Sequence, residues 1–247
     1  MIAALPMYDQ PQTAAAHDRY WTLIRDNLRD DGFDVPDRLT RDRDPWGGWV
    51  APDLLLSQTC GLPYRAALAP EVTLVGTPCH GHDGCAPGFY NSAIIVRVDD
   101  PRQSSDAFEG ATFAYNDPLS QSGWAALWSW ACARQITLGV GFQTGNHLAS
   151  ALAVSSGKAD LAAIDAQSWR LIQRWDDPGN LRVLAETTPT PGLPYITAKN
   201  RDPAPLRNAI RAAIGALSLE DRDVLDLHSL EAIPTEEYLT QPLPPAP

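Results

Sequence analysis

The segment "ATFAYNDPLSQSGW", residues 111–124, joins a strand to a helix through a sharp polar turn. Its apolar start, residues 111–116, is typical of a buried strand, and the Trp-rich run that follows predicts a helix over residues 123–134. Asn-Asp-Pro breaks the strand, and residues 120–123 form the turn. A strand that leads directly into a helix indicates a βα unit and therefore the α/β fold class.

The same alternation of short apolar runs and helical periods continues through the rest of the chain. Further strands are predicted at residues 2–7, 53–58, 72–76, 93–98, 161–164, 181–187 and 195–198. Further helices are predicted from about residue 11 to a stop at Gly32, at residues 147–156 and 166–174, and over the run that carries Leu206, Ile210, Ile214 and Leu217. This order predicts mostly parallel sheets that helices cover on both faces.

Two turn-rich connections divide this pattern, "GTPCHGHDGCAPGFYNS" before residue 93 and "TTPTPGLP" at residues 187–194. They flank a middle block of roughly ninety residues, which is the size of a small α/β domain. We therefore predict two lobes. Residues 1–92 with 188–247 form a discontinuous first lobe, and residues 93–187 form a second, inserted lobe. Ligands of open α/β sheets bind beyond the carboxyl ends of the strands, so functional side chains are expected there.

Composition limits the function classes. The chain has 247 residues, 44% hydrophobic residues and a net charge of −11. A nucleic-acid-binding protein needs a basic face, which this charge argues against, but backbone N–H groups can still bind a small anion. No apolar run is long enough to span a membrane, and "MIAALPMYD" lacks the features of a signal peptide. The expected location is the cytoplasm, unless an export signal has been removed from the chain.

The turn at residues 120–123 has the properties of an anion-binding site. The first N–H groups of a helix lack intrahelical acceptors, and the helix dipole places about half a positive charge there. The hydroxyls of Ser120 and Ser122 add donors, and Gly123 allows a ligand to approach the backbone closely. Ordinary N-capping by Ser120 or Ser122 explains the same residues without a ligand. Both interpretations stay open on this segment alone.

The segment "TGNHLASALAVSSGKADLAAID", residues 144–165, repeats this arrangement. A polar turn with a glycine opens a helix, and His147 stands in its first turn, where it can donate to an anion. Asp165 ends the next strand. It can accept a hydrogen bond from a ligand or cap the helix that starts at Ala166, and capping is the favoured interpretation for this residue alone.

Polar residues also follow two strands in the N-terminal part of the chain. "LLLSQTCG" ends with Gln58 and Thr59 close to the carboxyl end of a strand, and Tyr8 follows the first strand, where it can either line a site or simply pack. The "CHGHDGC" run, residues 79–85, has no second cluster of ligands, so we predict neither a metal nor another cofactor. Its cysteines, with the two others, fit buried thiols or one local disulfide.

No catalytic motif is complete. The dinucleotide, phosphate-loop and nucleophile-elbow patterns each lack a required residue or spacing, so no catalytic residue is predicted.

Several of these runs resemble the phosphate/phosphite/phosphonate-binding family of ABC-transporter solute receptors, from residue 5 to about residue 198. They are "SQTCG", "VGTP", "NDPLSQSGW", "TGNHLASALAVSSGKADLAAIDAQSW" and "PTPGLPYITA". The resemblance implies the type II periplasmic-binding-protein fold, in which two crossover strands join two α/β lobes that close on the ligand. It also implies a periplasmic monomer that captures a small tetrahedral oxyanion between its lobes and delivers it to an ABC permease.

The resemblance also implies which residues bind. The family's Ser-x-Ser-Gly turn contacts the oxyanion and maps onto residues 120–123, although Gln121 stands where the family commonly has Thr. The family's helix-opening His maps onto His147. The full set of implied contacts is Tyr8, Gln58, Thr59, Ser120, Gln121, Ser122, Gly123, His147 and Asp165. In aminophosphonate binders the acid that corresponds to Asp165 meets a ligand amine.

Two other functions stay open on the sequence. One is a cytoplasmic enzyme of the same fold that acts on a phosphorylated or thiamin-precursor-like substrate, with Cys60, His80 or His147 as candidate residues. The other is a ligand-sensing regulatory domain.

Overall fold

The computed structural model describes all 247 residues. The strands, in chain order, are β1 (Ile2–Ala4), β2 (Leu54–Gln58), β3 (Val72–Cys79), β4 (Phe89–Tyr90), β5 (Ser92–Arg97), β6 (Phe113–Tyr115), β7 (Gly141–Gln143), β8 (Leu161–Asp165), β9 (Leu181–Glu186), β10 (Thr190–Pro191), β11 (Tyr195–Ala198) and β12 (Ser229–Glu231). The helices are α1 (Ala14–Asp30), α2 (Pro45–Trp49), α3 (Gly61–Pro63), α4 (Ala126–Ala133), α5 (His147–Ser155), α6 (Ala166–Trp175), α7 (Ala204–Ala216), α8 (Leu219–Leu225) and α9 (Thr235–Leu239). None of these helices has both the length and the apolar character that a membrane span requires.

The chain divides into two compact units. The first contains Met1–Asp83, Pro87–Phe89 and Pro191–Thr240, and the second contains Gly84–Ala86, Tyr90–Thr190 and Gln241–Pro247. The main passages between them lie at residues 89/90 and 190/191, whereas the sequence places them at 92/93 and 187/188. The C-terminal tail, which the sequence assigns to the first lobe, groups with the second unit. There, Trp124 Nε1 donates a hydrogen bond to the carbonyl oxygen of Pro245 over 2.8 Å.

The first unit contains a five-stranded sheet in the order β1-β2-β11-β3-β12. One hydrophobic cluster joins one face of this sheet to α1 and α7, and a second cluster on the strands includes Trp49 of α2 and Tyr238 of α9. Helix α1 forms because Tyr20, Trp21, Ile24 and Leu28 repeat at helical spacing and are all buried. It ends at Asp30, and the positive φ of Gly32, 85°, lets the chain turn away.

The second unit contains a five-stranded sheet in the order β7-β6-β8-β5-β9. Side chains of β8 alternate between two hydrophobic clusters. Leu161 and Ala163 belong to the cluster that includes α4, and Ala162 and Ile164 belong to the cluster that includes α5 and α6. Because both faces are buried, the strand appears in the sequence as a continuous apolar run.

The predicted α/β class with helix-flanked sheets is confirmed, but the sheets are mixed instead of mostly parallel. In the second unit β6 is parallel to β7 and β8, whereas β5 is antiparallel to β8 and β9. In the first unit β11 is antiparallel to β2 and β3. The physical reason is the connection, because parallel neighbours need a crossover, usually through a helix. Strands β5 and β11 directly follow the passages from one unit to the other, so no helical crossover leads into either of them.

Candidate functional site

The turn between β6 and α4 is a single π-helical turn, Gln121–Ala125, with Ser120 as its N-cap. Ser120 Oγ accepts a hydrogen bond from the N–H of Gly123 over 2.9 Å, and the Ser120 carbonyl accepts one from Ala125 over 3.0 Å. The capping interpretation therefore holds for Ser120. Ser122, only 4% exposed, does not cap the turn. Isolated π-helical turns at helix starts are often found at functional sites.

The hydroxyl of Ser122 contacts the ring of His147. Ser122 Oγ lies 3.0 Å from His147 Nε2, which links the π-helical turn to the start of α5. Helix α5 begins at His147 because Asn146 Oδ1 accepts a hydrogen bond from the N–H of Ala149 over 2.8 Å. The two helix starts that the sequence singles out therefore meet within the second unit.

Sheet register explains why two residues that are far apart in the sequence meet. Strand β6 leads into the serine turn, and strand β7 leads into α5. The two strands are parallel neighbours, with Phe113 opposite Gly141 and Tyr115 opposite Gln143. Since both strands end at the same edge of the sheet, the helices that follow must begin side by side.

The protonation state of His147 decides which donors the pair offers. Burial lowers the pKa of His147 to about 4, so the ring is neutral at pH 7 and carries one N–H. If Nε2 carries the hydrogen, it donates to Ser122, and the serine hydroxyl hydrogen can be donated to a ligand or to Ser120 Oγ, 3.4 Å away. If Nδ1 carries it, Ser122 donates to Nε2. In either tautomer the pair has one donor that the contact between Ser122 and His147 does not use, and Nδ1 is buried without a partner in the protein.

Backbone donors add to this pair. Ser122 and His147 both stand in the first turn of a helix, where N–H groups have no intrahelical acceptor. The helix dipoles place partial positive charge at the same points. The arrangement can therefore stabilise an anion with hydroxyl, imidazole and amide donors, none of which carries a formal charge.

Gly123 is required by the protein's own packing. A Cβ atom at this position would overlap Oδ1 of Asn116 and would lie 2.9 Å from its Cγ. Asn116 Oδ1 is buried without a hydrogen-bond partner, and the N–H of Gly123 is already donated to Ser120. The sequence assigned Gly123 to close approach by a ligand, whereas here its missing side chain makes room for Asn116. The sequence indicates only a strand breaker at Asn116 and gives no sign of this contact.

Asp165 and Gln121 are the other predicted residues in this unit. Asp165 is 2% exposed at the end of β8, and its Oδ1 accepts a hydrogen bond from the N–H of Ser168 over 2.7 Å. It therefore caps α6, which is the interpretation the sequence favoured. Gln121 is buried in the same turn as Ser122.

The remaining predicted residues lie in the first unit. Tyr8 and Gln58 line one cavity of about 20 Å³, which is enough for one water molecule. Gln58 Nε2 donates to the carbonyl of Leu193 over 3.2 Å, and the Tyr8 ring meets the edge of His80 with centroids 5.1 Å apart. Thr59 is fully buried, and its hydroxyl has no hydrogen-bond partner in the protein.

The "CHGHDGC" loop contributes His80 to this cavity, whereas the sequence offers His80 only as a candidate residue of the alternative enzyme. Burial lowers the pKa of His80 to about 4, and its Nδ1 lies 3.1 Å from the carbonyl of Asp226. No group of three or more His, Cys, Asp and Glu side chains is arranged to hold a metal ion. The four cysteines form no disulfide bond.

Sequence comparison identifies one family. A family model described as "ABC transporter, phosphonate, periplasmic substrate-binding protein" matches residues 55–235. This range contains every predicted binding residue except Tyr8. Among curated proteins, none matches the sequence significantly.

Solved structures show the same fold at low sequence identity. PhnD1 of Prochlorococcus marinus in complex with methylphosphonate is 16% identical, with 96% of this chain and 94% of that chain covered and a TM-score of 0.71. XAC2383 of Xanthomonas citri bound to chloride is 13% identical, with 94% of each chain covered and a TM-score of 0.68. A binding protein component of an ABC phosphonate transporter of Pseudomonas aeruginosa is 18% identical, with 95% and 82% covered and a TM-score of 0.65. The predicted type II periplasmic-binding-protein fold is thereby confirmed.

Proposed function

Because the chain belongs to the phosphonate family of periplasmic substrate-binding proteins of ABC transporters, we propose that it is a receptor for a small tetrahedral oxyanion. The ligand class is a phosphonate, phosphite or phosphate-like group, and the receiving partner is an ABC permease. The working compartment is the periplasm, as for the family. The family serves transport, so the role proposed for this chain is binding, without a chemical step.

One observation carries this proposal: the hydrogen bond of 3.0 Å between Ser122 Oγ and His147 Nε2. It joins two helix N-termini, so the first backbone N–H groups of both helices and the side-chain donors of Ser122 and His147 lie close together. A tetrahedral oxyanion has several acceptor oxygens in a compact group, which suits donors that arrive from two directions. A planar, single-acceptor ligand would leave part of this donor set unused.

A neutral His147 can still contribute to anion binding through a hydrogen bond. Each hydrogen bond to a charged group contributes about 1.5–3 kcal/mol, so two or three such bonds bind an anion firmly without a buried cation. A bound anion would favour the protonated ring and raise the pKa of His147 from its value of about 4. The strength of binding then depends on the hydrogen bonds more than on net charge.

The finer contacts are proposals of the same kind. Gln121 shares the turn with Ser122, and its long side chain limits the size of the group that the turn accepts. Asp165 is occupied as a helix cap, so a ligand amine is not needed to explain it. Tyr8, Gln58 and Thr59, which all lie in the first unit, are proposed ligand contacts as well.

Isothermal titration calorimetry with methylphosphonate, phosphite, phosphate and sulfate tests the proposal. We expect at least one of the phosphorus oxyanions to bind with one-to-one stoichiometry. Ser122→Ala and His147→Ala should each raise its dissociation constant about 10- to 100-fold, because each removes a bond to a charged group. Ser129→Ala is the matched control, because Ser129 lies on the adjoining α4 and forms no described hydrogen bond.

Failure of all three phosphorus oxyanions to bind would remove the proposal. So would binding that survives both Ser122→Ala and His147→Ala with the affinity of the wild type, since the donors would then lie elsewhere.

A further inference from the structure

A second cavity lies wholly within the first unit, beside the edge strand β1. Its volume is about 320 Å³, within the range of small-molecule sites, and it shares no residue with the cavity that Tyr8 and Gln58 line. Ile2, Leu5 and Pro45 are among its apolar wall residues.

Hydrogen bonds hold its walls in place. The N–H of Thr40 donates to the carbonyl of Ala3 over 2.7 Å, so the loop before α2 runs along the open edge of β1. Asp44 Oδ2 accepts from the N–H of Gly47 over 2.9 Å and caps α2. Trp49 Nε1 donates to the carbonyl of Gln58 over 3.0 Å and fixes α2 on β2. The cavity is therefore formed in advance by the fold.

One wall residue supplies a hydroxyl group. Ser57 is 3% exposed in β2 and lines the cavity. It follows three leucines in the same strand, so an apolar residue would be the expected occupant of this position. A serine hydroxyl both donates and accepts, so a ligand hydroxyl that reaches it can form a hydrogen bond with it.

One cationic side chain that lines the cavity forms no ion pair. Arg41 is held by Asp9 over 2.7 Å and by Asp18 over 2.7 Å, and Asp44 caps α2. Arg43 also lines the cavity and is exposed, with no ion pair and no hydrogen bond. Its guanidinium offers a planar fork that matches a carboxylate.

A monoanion fits this rim better than a dianion. The carboxylates of Asp9 and Asp44 lie at the same rim, and the whole chain has a net charge of −11. A doubly charged group would be repelled by both acids while gaining only one guanidinium. A single carboxylate gains the same bidentate contact with the guanidinium, and its repulsion by the two acids is about half as large.

We propose that this cavity binds a small monocarboxylate with an apolar body and a hydroxyl substituent. Its carboxylate pairs with Arg43, its body packs against Ile2, Leu5 and Pro45, and its hydroxyl reaches Ser57. The site is distinct from the oxyanion-binding residues of the second unit, and it does not depend on the function proposed for them.

Titration of the full chain with benzoate, 3-hydroxybenzoate and 4-hydroxybenzoate, followed by nuclear magnetic resonance, tests this site. We expect saturable binding, with one hydroxybenzoate binding more tightly than benzoate. Arg43→Ala should weaken all three about tenfold, because it removes a charge-assisted contact. Ser57→Ala should abolish the advantage of the hydroxyl and leave benzoate unchanged. Arg38→Ala is the control, because Arg38 is an exposed arginine of the same loop that does not line the cavity.

Two further measurements separate this site from the proposed receptor function. Ser122→Ala should leave hydroxybenzoate affinity unchanged, and saturation with hydroxybenzoate should leave methylphosphonate affinity unchanged. The inference is overturned if none of the three acids binds, if benzylamine binds as well as benzoate, or if Arg43→Ala has no effect. Competition between hydroxybenzoate and methylphosphonate would also overturn it, because the acid would then occupy the oxyanion site.

Discussion

Replacing Gly123 by alanine should destabilise the second unit, and the reason lies in one neighbour. The new Cβ would overlap Asn116 Oδ1 and would lie 2.9 Å from Asn116 Cγ and 3.2 Å from Ser120 Oγ. The backbone itself accepts alanine, because Gly123 lies within a helical turn and its φ is not positive. Most of the effect should therefore come from the displacement of Asn116, with a smaller part from the contact with Ser120 Oγ.

Two opposing terms set the magnitude. Alanine in place of glycine favours a helical turn by about 0.5–1 kcal/mol. Forcing extra volume into a packed site costs about 1–3 kcal/mol. Asn116 can rotate, since its Oδ1 has no hydrogen-bond partner, but its Cγ must move as well. We expect a net destabilisation of about 1–2 kcal/mol.

The decisive test introduces Gly123→Ala into the Asn116→Ala variant, in which the obstructing amide is absent. There, Gly123→Ala should change sign and stabilise the protein by about 0.5 kcal/mol, because the helical preference of alanine then outweighs the remaining contact with Ser120 Oγ. The two residues should thus show a coupling energy of about 2 kcal/mol in a double-mutant cycle. Hydrogen exchange of the β8 amides under native conditions measures the opening free energy of this unit separately from the other.

Additive effects of Gly123→Ala and Asn116→Ala would refute this reasoning. If Gly123→Ala shifts the opening free energy by the same amount with and without Asn116, the overlap is not what glycine avoids at this position.

Other measurements test other parts of the structure. Tyr238→Phe removes buried hydrogen bonds of 2.6 and 2.9 Å and should lower the free energy of unfolding by about 1–3 kcal/mol in urea titration. His80 and His147 have folded-state pKa values of about 4 because of burial, whereas the unfolded values lie near 6.5, so the unfolded state binds more protons between these limits. The free energy of unfolding should therefore fall as pH drops from 6.5 to 4, and unfolding curves that do not change over this range would contradict it. Arg102 holds the pKa of the buried Asp100 at about 2, so Arg102→Met should lower the unfolding temperature at pH 7 and much less at pH 2, where Asp100 is becoming protonated in both proteins.

Strand identity could be predicted wherever both faces of a strand are buried. Strands β5 and β8 are continuous apolar runs, and their alternate residues enter different hydrophobic clusters. Strands β7 and β12 have three residues each, of which only the central one is a large apolar residue, so no apolar run marks them in the sequence. The direction of β5 within its sheet cannot be predicted from the sequence either, because a run of apolar residues has the same pattern in a parallel and an antiparallel strand.

The donor sets of the candidate site follow from local rules. A hydroxyl, a glycine and a histidine at helix starts predicted anion-binding turns at Ser122 and His147. What the sequence lacks is the pairing between them, which depends on β6 and β7 being parallel neighbours. Sequence spacing likewise gives no hint that Asn116 fills the space over Gly123, because that contact arises only when the π-helical turn folds back on the strand.

The tail after α9 is tied down through Trp124 and the main-chain oxygen of Pro245, and this leads to an evolutionary expectation. Any amino acid at position 245 presents such an oxygen, so point changes along the tail should be tolerated over generations. Gain or loss of a residue there would instead offer the indole a different oxygen. Natural selection on this tail should therefore preserve the count of residues more strictly than their identity.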